Sequence, residues 1–203
     1  MPNFDVEARH AQILGQPERI APLSPDEVTP DVVETSANIL RVMGIEPTAD
    51  IPPYVRVCLR HPQLFHAHMN FGKMLAGSGK IVRRDLELVV LRTGWLCGAP
   101  YEWGEHVGIG KRMGLTDAEV ARLPEGSAAT GWSDRDRAIL KAVEELVESY
   151  AITDETWAAI ASFWSEAQLL EFPIVVGVYV MTGMQQNAIR LRLNAGNKGL
   201  NER

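Results

Sequence analysis

The twelve residues from Leu86 to Cys97, LELVVLRTGWLC, are apolar on almost every side of a helix. A helix without a polar face has to be surrounded by other elements. This segment therefore sets the plan of the chain: it forms the centre and its neighbours wrap it. It nevertheless carries an acid, Glu87, on the face shared with Val90, Leu91 and Gly94. A buried carboxylate costs several kcal/mol unless it is paired or neutral, and burial raises its pKa. Two readings stand side by side: a partnered acid inside the core, or a surface acid near the helix start, stabilised by the helix dipole.

The surrounding sequence repeats the helical period. Val32, Ala37, Ile39, Leu40 and Met43 recur at that spacing up to Gly44, and Pro52-Pro53 opens a short helix through Leu59. After the Arg60-His61-Pro62 break come Leu64, Phe65, His68, Phe71, Met74 and Leu75, closed by Gly77-Ser78-Gly79. Helices over 83–97 and 100–113 follow, then a Thr116/Glu119 capping box. Ser133 and Thr153 open two more helices, and a last long one covers about 166–193. Neither strand alternation nor an Asn-Gly hairpin signal occurs. The expectation is an all-α chain: one domain over 31–203, preceded by an extended arm, 1–30, rich in proline. Within that arm Ser24-Pro25-Asp26-Glu27 can open a single helical turn.

Bulk properties remove several functions. The formal charge of −6 is spread along 203 residues with no lysine/arginine stripe, so no nucleic-acid partner is expected. The N-terminus lacks the apolar core of a signal peptide. The longest apolar run, Phe172 to Met184, includes Pro173, Thr182 and two glycines and falls short of the roughly 20 residues a bilayer span needs, so no membrane role is expected. Cys58 and Cys97 lie far apart in helical patterns and suggest no disulfide, which fits a reducing cytoplasm.

The chemistry gathers around the central helix and its successor. His106 shares a helix face with Trp103, Ile109, Gly110 and Met113, and Glu102 lies one turn before it. An i, i+4 Glu–His pair orients the ring and raises its pKa; the alternative is a histidine packed in the core. With Glu87 it forms a candidate acid–imidazole pair for proton transfer. Tyr101 and Trp103 either line a pocket for a flat ligand or fill core space. Gly104, Gly108 and Gly110 suggest a close helix approach or room for a ligand. Glu102 and His106 alone do not make a metal site, and His61, His66 and His68 add no recognisable ligand motif, so no metal is expected. Cys97 sits at a helix C-terminus, which raises a thiol pKa, and no Cys-x-x-Cys occurs.

These residues resemble the carboxymuconolactone decarboxylase family. The similarity rests on RDLELVVLR from Arg84, WLCG from Trp95, YEWGEHV from Tyr101 and GLTDAE from Gly114. Around them stand RHP from Arg60, Phe71-Gly72, WSDRD from Trp132 and ITDETW from Ile152, so that the resemblance covers about 17–193. It implies the all-helical alkylhydroperoxidase D-like fold and a homo-oligomer, a trimer or hexamer. The family's peroxidase branch carries Cys-x-x-Cys-x-x-x-His after a proton-relaying glutamate. Aligned on His106, the two cysteine positions here hold Ala99 and Glu102, while the glutamate position falls on Glu87. Cys97 lies two positions too early to replace the first thiol.

The resulting expectation is a cofactor-free lyase or isomerase acting on a small carboxylated lactone or a related ring-cleavage product of aromatic catabolism. His106 would deliver or remove a proton at carbon and Glu87 would tune it or relay to it, while Tyr101 or Glu102 orients the substrate. Trp103 would line the substrate pocket, and Arg92 or a neighbouring subunit's arginine would hold the developing oxyanion. The alternatives are a thiol peroxidase-like protein using Cys97 and a non-catalytic ligand-binding oligomer. Five tryptophans and a long apolar C-terminal helix point to subunit burial beyond one core.

Overall fold

A computed structural model describes residues 4–42, 46–47 and 51–203. Ten α-helices stand among them: α1 Val6–Ile13, α2 Pro30–Val42, α3 Pro53–Cys58, α4 Pro62–Ser78, α5 Arg83–Leu96, α6 Pro100–Arg112, α7 Asp117–Arg122, α8 Asp134–Ser149, α9 Asp154–Ala161 and α10 Glu166–Ile189. No strand occurs among the described residues, and the fold is all-α. Met43 and Gly44, expected to end the second helix, lie outside the described residues.

Helix α5 is the hub, with every residue from Asp85 to Leu96 buried. It packs against α6, α8 and α10, and Leu88, Val89, Val90 and Leu91 are fully excluded from solvent. A reciprocal pair of ion bridges locks its first turn to α8: Arg84 donates to Asp136 at 2.8 and 3.1 Å, and Arg135 donates to Asp85 at 2.6 Å. The DLE and SDRD segments are thus partners in space. The turn into α6 uses Gly98 at φ +52, where the absence of a Cβ removes the strain of the left-handed region. Pro100 follows at the first helical turn, where its missing N–H is harmless. A second cluster gathers α2, α3 and α4 around Ile39, Leu40, Tyr54, Val55 and Phe65, joined by Tyr101 from α6.

Two boundaries differ from the expectation. The arm 1–30 is not extended throughout: Asp5 caps α1 by accepting from the Ala8 N–H at 2.7 Å, and Glu7 complements the dipole. Long-range contacts hold that helix in place. Arg9 donates to the carbonyls of Gly98 and Cys97, and the Leu200 N–H donates to His10 at 3.0 Å. Pro17, Pro22, Pro25 and Pro30, which suggest an arm, all lie beyond the helix. The turn Pro25–Glu27 is present as a short 3-10 segment with a Ser24/Glu27 capping box. The last helix stops at Ile189 rather than near 193, because Arg190 takes a left-handed conformation at φ 57. Arg192 then turns back to the Leu14 and Gln16 carbonyls, which anchors the reversed chain.

At 24 residues α10 is the one described helix long and apolar enough to cross a membrane by length and composition. It lies against α5, α6, α8 and α9, burying Leu169, Phe172, Val175, Val176 and Val178.

Candidate active site

A cleft of about 1090 Å³ opens where α4, α5, α6 and α10 meet the segment 194–197. Glu87 enters from α5, Glu102 and His106 from successive turns of α6. The approach of these helices depends on Gly110: a Cβ there would lie 3.0 Å from atoms of Leu91 and Leu115 and 3.6 Å from the Glu87 Cβ. That is closer than packed side chains normally allow, so glycine sets the α5–α6 separation. Gly104 serves the C-terminal segment in the same way, since a Cβ would overlap the Asn197 side chain.

His106 is held between two carboxylates. Its Nδ1 lies 2.8 Å from Glu87 Oε2, and its Nε2 lies 3.2 Å from Glu102 Oε1. The Glu87 and Glu102 side chains are 2 % and 7 % exposed, against 16 % for His106. Arg83 donates to the other oxygen of Glu87 at 3.3 Å, and Gln186 donates to the other oxygen of Glu102 at 2.5 Å. Basic and acidic side chains alternate along the row Arg83, Glu87, His106, Glu102. Burial by itself would lower the His106 pKa, but hydrogen bonds to Glu102 and Glu87, with their charges, push it up to about 10. Burial would likewise raise that of Glu102, but the hydrogen bond and charge of His106 and the Gln186 amide hold it below the usual carboxylate value. At neutral pH the centre is an imidazolium between two carboxylates. It holds its proton firmly, as a weak acid that only a strongly basic partner such as a developing carbanion would deprotonate.

Other side chains complete the lining. Tyr179 meets the imidazole edge to face, with centroids 5.4 Å apart; burial and then the charges of Glu102 and Glu87 keep its phenol protonated. The Tyr101 hydroxyl accepts from Asn194 at 2.8 Å, and burial, above all, raises its pKa. His68, Thr182 and Gln186 form another part of the wall.

The expected site residues therefore divide. Glu87, Glu102, His106 and Tyr101 all line the cleft. Trp103 does not: it is fully buried, packs 5.0 Å from Trp95 between ring centroids, and donates through Nε1 to the Glu202 carbonyl. One position from Glu102 is a turn of about 100° around α6, which directs the Trp103 ring to Trp95 rather than into the cleft. Arg92 also lies elsewhere, fully buried, donating to Glu144 at 3.0 Å and to the Leu123 and Pro124 carbonyls. It fastens α5 to α8 and to the turn Leu123–Ala128, and is not an oxyanion group of this cleft. His61 caps α4 through the Leu64 N–H, His66 faces Asn70 and His68 faces Thr182, so these three histidines do not converge.

Sequence reading missed Arg83, His68, Tyr179, Thr182 and Gln186 as site residues. A signal for three of them was present: Tyr179, Thr182 and Gln186 follow one another at spacings of three and four in an otherwise apolar helix.

Neither cysteine reaches the cleft. Cys97 lines a separate groove of about 400 Å³ beneath α1, with Phe4, Arg9 and Gln12. Burial pushes its thiol up to about 11, and that of Cys58 up to about 12. A thiol so protonated at neutral pH is a poor nucleophile.

With this geometry in hand, comparison with known proteins gives a consistent answer. Residues 62–145 match the carboxymuconolactone decarboxylase family, a span that holds Glu87, Glu102 and His106. No curated protein matches the sequence. Among solved structures, a peroxidase-related alkylhydroperoxidase AhpD core protein of Ralstonia eutropha JMP134 superposes with a TM-score of 0.71 at 14% identity, covering 89% of this chain and 94% of that one. A peroxidase-related protein of Silicibacter sp. TM1040 gives 0.72 at 13% identity, covering 90% and 96%. The debrominase Bmp8 gives 0.68 at 16% identity, covering 87% and 92%. At these identities the structural likeness establishes the shared fold. The match over 62–145 makes that segment similar to the carboxymuconolactone decarboxylase family, and the chain as a whole has the alkylhydroperoxidase D-like helical fold.

Proposed function

We propose that this protein is a proton-transfer enzyme of the lyase or isomerase type, needing no organic cofactor. Its substrate would be a small carboxylated lactone or a related ring-cleavage product of aromatic catabolism. One observation carries the reading: an imidazolium clamped between buried Glu87 and Glu102 faces a cleft that neither thiol lines. The peroxidase alternative through Cys97 is disfavoured by the separate groove and raised pKa of that thiol.

The chemistry follows from the two unequal bonds of His106. Glu87 makes the shorter one and fixes the ring through Nδ1. Glu102 makes the longer one, so Nε2 is the nitrogen that works. Loss of CO₂ from the substrate, or transfer of a proton from beside its carbonyl to the Glu102 carboxylate, leaves a dienolate. Nε2–H then protonates carbon, directly or through Glu102, and the electron pair of the dienolate forms the new C–H bond. Arg83 at the Glu87 end and exposed Lys73 on α4 give the cleft a cationic side suited to a carboxylate. Tyr101 supplies a neutral hydroxyl for the carbonyl oxygen, replacing the role expected of Arg92.

The test is turnover of carboxylated lactones in D₂O, followed by CO₂ release and deuterium at carbon. His106→Ala and Glu87→Gln should each lower kcat by about 100-fold or more, while Cys97→Ser keeps full activity. Unchanged turnover in both of the first two variants would end the proposal.

A further inference from the structure

The wall of the cleft opposite Arg83 has a polarity that the proton-transfer chemistry leaves unexplained. Gln186 is 3 % exposed, and its Nε2 donates to Glu102. An ionised carboxylate can only accept, so the amide cannot turn over without setting its own oxygen against Glu102. Gln186 Oε1 is consequently fixed as an acceptor, and it is buried without a hydrogen-bond partner among the described residues. A bare buried acceptor is destabilising, a penalty that a donor on a bound molecule would remove.

A second acceptor lies close by. The Thr182 hydroxyl donates to the Val178 carbonyl at 2.9 Å, so its 3.1 Å contact with His68 is assigned as donation from His68 Nε2–H. That tautomer leaves His68 Nδ1 with a lone pair and no partner among the described residues. Burial, outweighing the charge of Glu102, lowers the His68 pKa, which keeps the ring neutral and Nδ1 an acceptor. Thr182 and Gln186 stand one turn apart on the same face of α10, so the two acceptors belong to one strip.

We propose that Gln186 and His68 form an acceptor subsite for a hydroxyl or N–H group of the substrate, with Gln186 Oε1 the specificity-determining atom. This rests on the reading of the cleft as a site for a small carboxylate: the carboxylate lies toward Arg83 and Lys73, the donor group toward α10. It narrows the substrate class to small ring acids that also bear a hydroxyl or ring N–H.

The test is binding, measured by calorimetry on the full chain with benzoate, 3- and 4-hydroxybenzoate and their methyl ethers. At least one hydroxybenzoate should bind about tenfold tighter than its ether, because the ether presents no donor. Gln186→Leu should reduce that ratio to about twofold or less, and His68→Phe should reduce it partially. Equal affinity for hydroxyl and ether in the unmodified protein would overturn the subsite, as would a ratio that Gln186→Leu and His68→Phe both leave intact. The unmodified ligand series decides the matter even if a variant fails to fold. Catalysis is scored separately: His106→Ala should keep the hydroxyl preference while losing turnover, so failure of either reading shows in its own assay.

Discussion

His106 keeps its proton because both ring nitrogens face carboxylates in a place where water competes poorly. Its ring resonances should therefore titrate near pH 10, and Glu102→Gln should lower that midpoint by about one unit or more in an NMR titration. The same shift has a stability consequence of definite sign. The folded-state pKa lies above the ordinary value of 6.5, so the bonds to His106 contribute in full below about pH 6.5. That contribution is lost as pH rises through about 10. The difference in unfolding free energy between the unmodified protein and His106→Asn should shrink across this window; a constant gap would mean that the imidazolium does not stabilise the fold. At this scale the sequence was informative about Glu87, Glu102 and His106, since an acid in an apolar helix and an i, i+4 Glu–His pair are local patterns. It could not show that one ring touches both carboxylates.

The contact between α5 and α6 makes the site, and Gly110 sets its spacing. Gly110→Ala should destabilise the protein by about 1–3 kcal/mol in denaturant unfolding, as overpacking does. It should also lower the His106 pKa by lengthening the bond to Glu87. Arg92 acts at another contact of α5. Replacing it with Met would strand Glu144, which is 6 % exposed, and should cost about 3–5 kcal/mol. The His106 titration should stay unchanged, because Arg92 does not line the cleft. A titration that moved with Arg92→Met would make Arg92 part of the site rather than of the scaffold. Helix positions were legible from periodicity, but the face each residue presents was not. The sequence offers Trp103 as an aromatic wall and Arg92 as an oxyanion cation by residue type, yet one position along a helix is a turn of about 100°, and neither side chain lines the cleft.

Across the whole molecule, Leu170, Ile174, Met181 and Met184 remain exposed along one side of α10, and Phe71 and Met74 are exposed on α4. We propose that copies of the chain associate through this face, as its apolar character favours. Light scattering should give an oligomer, and Ile174→Glu with Met181→Glu should shift it to monomer; a clean monomer of the unmodified chain would refute this. The sequence by itself determined the all-helical class, the buried central helix and the acid and imidazole it brings to α6, because each is written in local spacing and burial preference. The tertiary structure alone decided that α1 folds against the Gly98 turn, that α10 ends at Ile189, and that His68, Thr182 and Gln186 line one cleft with Glu87 and His106. Those outcomes depend on contacts between segments 80 to 190 residues apart. No local window records which residues such contacts will bring together.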